Sequence, residues 1–141
     1  MNVPLIVPNP RLDVFVDRAP DGVRHRLTTY TGTIQFGTRT SVLGAAAWGS
    51  LTTFEHAWLL PDSLPYRADR LAGSHVAAVI APLSMHENFD LHRLGAGLAP
   101  DPDQPTAWLK FDFSVTTRSG TTGSYRIDVM VPADAVHEPG Q

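Results

Sequence analysis

The sequence predicts an all-β domain, an antiparallel β-sandwich with jelly-roll-like connections. Thr, which favours strands, occurs 13 times, whereas Lys and Glu, which favour helices, together occur four times. The 12 Pro and 11 Gly are spread over the whole chain, as expected for turns between many short strands. With 141 residues, the chain has the length of about one domain.

The N-terminal part predicts an extended arm followed by two strands. Residues 1–11 contain three prolines, which cannot donate ladder hydrogen bonds, so we expect an arm of the kind that lies on a neighbouring molecule. Residues 12–18 form the first predicted strand, and Pro20 and Gly22 favour a turn after it. The second predicted strand runs from Val23 to Phe36, and Gly32 in its middle predicts a bulge or bend.

The central part contains one ambiguous and one unusual segment. Residues 50–60 show both helical spacing and strand-like residue types, and we favour a strand. Residues 75–81 are apolar without alternation, which predicts a strand covered on both faces. Such a strand lies inside the sandwich or at an oligomer interface, and the expected assembly contacts are Val76, Val79 and Ile80.

The C-terminal part gives the clearest pattern. Residues 89–94 alternate, and residues 95–105 are predicted to be a wide loop that begins with Gly95-Ala96-Gly97. Residues 107–115 and 125–131 both alternate between apolar and polar side chains, which predicts a terminal hairpin with its turn at residues 118–123. The sandwich domain is therefore assigned to residues 12–131, and residues 132–141 are expected to be a frayed polar tail.

Composition excludes several classes of function. The net charge is −3 and no basic stripe is present, so nucleic acid is not an expected partner. The chain has no Cys, which excludes thiol nucleophiles and iron–sulfur clusters. The longest apolar runs are far shorter than the roughly 20 residues of a membrane span. The first eight residues contain two prolines and no basic residue, so we expect no signal peptide.

Histidines and carboxylates offer one candidate metal site. The six-residue separation of His86 and His92 fits neither a helical zinc motif nor a shared ion on a strand, so we interpret both as loop histidines. Asp90 and His92 are two residues apart and would share a face, with His75 as a third candidate ligand. No nucleophile elbow or phosphate loop is present. We therefore predict no catalytic residue, no metal and no cofactor, and keep His75, Asp90 and His92 as an alternative.

Trp108 is the candidate for contact with a surface ligand. It alternates with the apolar side chains of its predicted strand, so its ring is expected on the face opposite the core. Tryptophan rings bury a large area and carry one hydrogen-bond donor, which suits stacking on a sugar.

The order of several short motifs resembles the jelly-roll head modules of phage tail fibres and minor tail proteins. Those modules carry a glycine-bearing first strand, a connection with Leu-Pro and then Tyr-Arg, an apolar strand, a glycine turn and a tryptophan strand. The corresponding segments here are residues 30–36, 59–67, 75–79, 91–98 and 108–111. Ala68 departs from the pattern, because those modules usually place proline there, and residues 114–131 extend beyond the expected end.

The resemblance implies a non-enzymatic structural protein of a virion, tail-associated or adhesive. Its expected partners are further copies of itself in a trimer, other virion proteins and a glycan or protein on the host surface. The expected location is the virion, or otherwise the cytoplasm. A capsid decoration protein is one alternative. Another is a small β-barrel enzyme or ligand-binding protein that uses the His/Asp site.

Overall fold

A computed structural model describes residues 2–17, 20, 22–37, 40–42, 45–47, 50–83, 88–100 and 102–137, and for residues 40–42 and 45–47 it describes the backbone only. Eleven strands make up most of this part of the chain, with 3-10 turns at Ala68–Arg70 and Ala133–Ala135. The strands are Leu5–Pro8 (β1), Leu12–Val16 (β2), His25–Phe36 (β3), Thr40–Val42 (β4), Ala45–Ala47 (β5), Leu51–Leu59 (β6), Tyr66–Arg67 (β7), His75–Pro82 (β8), Phe89–Pro100 (β9), Thr106–Arg118 (β10) and Thr121–Pro132 (β11).

Two antiparallel sheets pack face to face, as the sequence predicts for a sandwich. In the first sheet, β3 and β11 are central, β8 lies at one edge, and β1 and β2 lie along the two halves of the other edge. In the second sheet, β10 is central, with β9 on one side and β6 and β7 on the other. β4 and β5 form a separate small hairpin.

Alternating side chains of the central strands build the core between the sheets. The most buried aromatic side chains come from both sheets, and the ring centroid of Phe111 lies 5.0 Å from that of Phe113 and 5.3 Å from that of Tyr125. The faces predicted from alternation for residues 107–115 and 125–131 are confirmed. The fully buried apolar side chains from these two segments are Ala107, Leu109, Phe111, Phe113, Val115, Ile127, Val129 and Val131.

The predicted terminal hairpin is wrong in its pairing. β10 pairs with β6, β7 and β9, whereas β11 pairs with β3 and β8, so these consecutive strands belong to different sheets. Ser119 and Gly120 carry the chain across the sandwich. Gly120 adopts φ 102°, which favours glycine, and its N–H donates to the carbonyl of Phe36 at 2.6 Å.

The apolar strand β8 is not covered on both faces within one chain. It is an edge strand, and its side chains alternate between exposed and partly buried, with Val79 60% exposed and Ile80 8% exposed. The prediction that it lies inside the sandwich is therefore wrong. The alternative prediction, that β8 lies at an oligomer interface, stays a prediction.

Both chain ends are more tightly held than the sequence predicts. Within the predicted arm, β1 pairs with β3 of its own chain, and the N–H of Glu55 donates to the carbonyl of Asn2. Within the predicted frayed tail, Val136 is 2% exposed and the N–H of His137 donates to the carbonyl of Pro65. Residues 138–141 lie outside the described part.

Three further local predictions have clear outcomes. Residues 51–59 form a strand, as favoured. Gly32 does not produce a bulge, since the register of β3 with β11 is continuous through it. The glycine instead leaves room for the ring of Tyr125, which lies directly over it. The wide loop predicted for residues 95–105 is wrong over residues 95–100, since these lie within β9.

Candidate functional site

Two tryptophans line the same cavities at one end of the second sheet. Trp58 lies near the end of edge strand β6 and is 71% exposed, although its partner in the register is the buried Phe111. The first sheet therefore does not cover this end of β6. Trp108 projects from the opposite, outward face of β10 and is half-buried. Both cavities are lined by Trp108, by Trp58 and by Leu59, which follows Trp58 in β6.

The two cavities are similar in size and differ in their polar groups. The first, of about 470 Å³, opens on the outward face of the sheet, where Lys110 supplies an exposed ammonium. The second, of about 460 Å³, lies towards the connection after β6, and its lining includes Ser63 and His56. The remaining lining residues of the first cavity are Ala57, Ala99, Pro100 and Pro102, and those of the second are Leu60 and Pro61.

A shallow trough over β9 continues the first cavity along the sheet. This depression, of about 300 Å³, shares Ala99 and Lys110 with that cavity and reaches back to Gly95. The four residue steps from Gly95 to Ala99 correspond to about 13 Å of strand. Asp112, which accepts a hydrogen bond of 2.9 Å from Nε of Arg93, borders the trough. We call this surface, from Gly95 to the two tryptophans, the tryptophan groove.

Packing among the described residues does not require glycine at the two glycine positions of the trough, Gly95 and Gly97. A Cβ atom at Gly95 or Gly97 would meet no atom of the described residues within 4 Å, and neither residue has a positive φ. Glycine inside a strand costs roughly 0.5–1 kcal/mol relative to alanine. Glycine within a strand often marks a place where a ligand or another backbone approaches closely. These two residues therefore indicate that the backbone of β9 is kept accessible from outside.

The connection between β6 and β7 is rigidly held beside the second cavity. The hydroxyls of Tyr30 and Tyr66 hydrogen-bond each other at 2.7 Å, and the N–H of Leu64 donates to the Tyr30 hydroxyl at 3.1 Å. The N–H of Leu109 donates to Oγ of Ser63 at 2.9 Å. Burial raises the pKa of both tyrosines, so they stay protonated and keep this arrangement over the physiological range.

His56 couples the stability of this region to pH. Its ring stacks on Phe113 with centroids 5.6 Å apart, and its Nε2 is buried without a hydrogen-bond partner among the described residues. Burial lowers its pKa, against a smaller opposing effect of the Asp112 carboxylate. Protonation of His56 therefore disfavours the folded state.

Lowering the pH from 8 to 5.5 is expected to reduce stability through His56. Because its pKa is lower in the folded than in the unfolded chain, the unfolded chain binds more protons, and stability is lost as pH falls through the unfolded value of about 6.5. Urea midpoints at both pH values should show a larger fall for the native chain than for His56→Phe, which keeps the stacked ring. Equal falls of the urea midpoint in the native chain and in His56→Phe would show that His56 does not cause the pH dependence.

The structure does not assemble the predicted metal-site alternative. His75 is the first residue of β8, whereas Asp90 and His92 lie near the start of β9, which follows the other end of β8 along the chain. The interpretation of His92 as a loop histidine is wrong, because it lies within β9, as the extra residue where this strand bulges against β10. Its Nε2 lies 2.7 Å from Oγ1 of Thr116. Among the described residues, no group of three His, Cys, Asp or Glu side chains is placed to hold a metal ion. His86 lies outside the described residues.

Trp108 stands where the sequence placed it, whereas Trp58 and the two glycines were missed. Alternation assigned Trp108 correctly to the outward face. An alternating pattern in the sequence could have predicted the trough. Leu94, Ala96 and Leu98 alternate with the two glycines, and these three side chains pack against the core. That alternation predicts continuation of the strand through the glycines.

Comparison of the chain with protein-family models, with curated proteins and with solved structures gave no match. Within the part of the chain that the structure describes, no helix is long and apolar enough to cross a membrane.

Proposed function

We propose that this protein is a non-catalytic, tail-associated virion module that attaches to carbohydrate on a host surface through the tryptophan groove. The observation that carries the binding function is the exposed Trp58 beside the half-buried Trp108, at the end of a trough floored by Gly95 and Gly97. Tryptophan faces stack on apolar sugar faces, and the charged groups of Lys110 and Asp112 suit sugar hydroxyls.

An extended saccharide is the ligand class that fits this shape. The trough is shallow, open and about 13 Å long, unlike the enclosed apolar pockets that hold most small-molecule ligands. Its floor exposes backbone, and its end presents two large rings. A chain of sugar units lying along β9 would use both features, with one unit against the tryptophans.

The assignment to a virion rests on the motif resemblance. The glycine-bearing strand is β3, the Tyr-Arg pair is β7, the apolar strand is β8 and the tryptophan strand is β10, in the expected order. Besides Ala68 and the extension over residues 114–131, the glycine turn also departs from the pattern, because Gly95 and Gly97 lie within β9. In this protein the same glycines instead floor the proposed binding surface.

Replacing Trp58 by alanine is expected to weaken saccharide binding at least tenfold without unfolding the protein. The ring is mostly exposed, so its removal takes away stacking area and little core packing. The native chain and the variant should be compared on a printed array of bacterial surface oligosaccharides and polysaccharides. Leu51→Ala, at the exposed opposite end of the same strand, is the matched control and should bind as the native chain does. If the native chain binds no saccharide more strongly than Trp58→Ala does, the proposal fails.

Gly97→Val should block the trough while leaving the fold intact or slightly more stable. Within the described part of the chain, no atom lies within 4 Å of the new Cβ position, and valine has a higher strand propensity than glycine. Binding on the same array should fall, while the melting temperature should not. Unchanged binding in a folded Gly97→Val variant would show that the ligand does not use the trough.

A further inference from the structure

Among the described residues, β8 is the least protected edge of the two large sheets. Proteins usually guard edges with proline, charge or a bulge. β1 contains Pro8, β2 contains Asp13, β6 contains Glu55 and β9 contains Arg93. Between residues 76 and 81, β8 has no charge, no proline and no register shift.

The register shows which backbone groups of β8 point outward. The N–H of Leu83 donates to the carbonyl of Thr122 at 3.0 Å, continuing the β8–β11 register. In an antiparallel ladder, hydrogen-bonded pairs alternate with pairs that are not hydrogen-bonded. The odd-numbered residues of β8 therefore bond to β11. The N–H and C=O groups of Val76, Ala78 and Ile80 face away from it.

We propose that two copies of this chain join through β8, paired antiparallel about a two-fold axis at Ala78. This register pairs Ala78 with Ala78 of the partner subunit and Val76 with Ile80 of the partner subunit, so each outward group of the three residues finds a partner. An axis at residue 77 would leave the outward groups of Ile80 opposite residue 74, which lies outside β8. An axis at residue 79 would set Val76 opposite Pro82, which has no N–H. The occupant is thus a second copy, because the strand is complementary to itself.

The side chains agree with this pairing. On the outward face of the sheet, the pairing sets Val79, which is 60% exposed, beside the small side chain of Ala77 of the partner subunit. No like charges meet along the paired strands. An antiparallel edge contact of this kind uses the same surface on both copies, so it closes at two chains. The inference does not depend on carbohydrate binding, and it replaces the trimer expected from the resemblance.

Paired single cysteines test the register directly, because the chain contains no cysteine. Residues 77 and 79 of opposite copies form a pair that is not hydrogen-bonded, with Cα atoms about 4.5 Å apart, within disulfide range. Full-length Ala77→Cys and Val79→Cys are oxidised separately and as a mixture. A covalent dimer on a non-reducing gel is expected from the mixture alone, since like cysteines lie diagonally, too far apart to bridge. A covalent dimer from either variant alone, or none from the mixture, would overturn the Ala78-centred pairing.

Charge variants test the assembly without cross-linking. Light scattering of the native chain should give twice the 15.3 kDa chain mass. A Lys variant, Ala77→Lys with Val79→Lys, and a Glu variant, Ala77→Glu with Val79→Glu, should each be monomeric, because like charges face each other across the pair. Both sites are exposed, so the circular dichroism spectra should match that of the native chain. Mixing the two variants should restore the dimer. A native monomer or trimer, or Lys and Glu variants that stay dimeric, would refute the proposal.

Discussion

Phe111→Ala is expected to lower the free energy of unfolding by about 4 kcal/mol. Phe111 is fully buried at the centre of the sandwich, where its ring contacts that of Phe113 on its own strand and that of Tyr125 on the opposite sheet. Truncation removes the transfer free energy of the ring and leaves a cavity between two sheets that are fixed by their ladders. The whole free energy of unfolding of a domain is only about 5–15 kcal/mol, so the variant should lose a large fraction of its stability.

Urea denaturation followed by circular dichroism measures this loss. Phe15→Ala is the matched control, because Phe15 is 43% exposed on edge strand β2, and its loss should be less than about 1 kcal/mol. Similar losses for the two variants would show that the sheets do not pack through Phe111 as described.

Gly32→Ala is expected to lower the free energy of unfolding by about 3 kcal/mol, near the upper end for overpacking. A Cβ atom at this position would lie 2.6 Å from both Cε1 and Oη of Tyr125 and would also clash with the carbonyl oxygen of Val7. The ring is itself buried, and the carbonyl belongs to β1, which is paired with β3 at this point. Relief therefore requires either displacement of the ring or separation of β1 from the sheet.

Gly97→Ala is the control, because it places the same methyl group on another strand glycine with open space around it. It should stabilise the protein by a few tenths of a kcal/mol to about 1 kcal/mol. Adding Tyr125→Leu to Gly32→Ala should recover part of the loss, since the double variant removes the clashing ring. If both glycine variants have the same stability, the close approach at Gly32 is wrong.

The candidate site was predictable only where it depended on alternation. Trp108 was assigned to the outward face because it alternates with Leu109 and Phe111, and the structure agrees. Trp58 could not be assigned in this way. Its register places it on the core-facing side, and its exposure arises because the opposite sheet ends before it. How far one sheet extends over another is not encoded in the period of a single strand.

The sequence by itself determined that the chain forms strands and which side of most strands is buried, because side chains in a strand alternate with a period of two. The tertiary structure decided which strands pair. β10 and β11 follow each other through a tight connection, yet each is central in a different sheet. Backbone hydrogen bonds are the same for any pair of strands, so local sequence does not decide whether β10 and β11 pair as a hairpin or join different sheets. Packing favours placing them in different sheets, because only then do the apolar faces of both strands meet across one core.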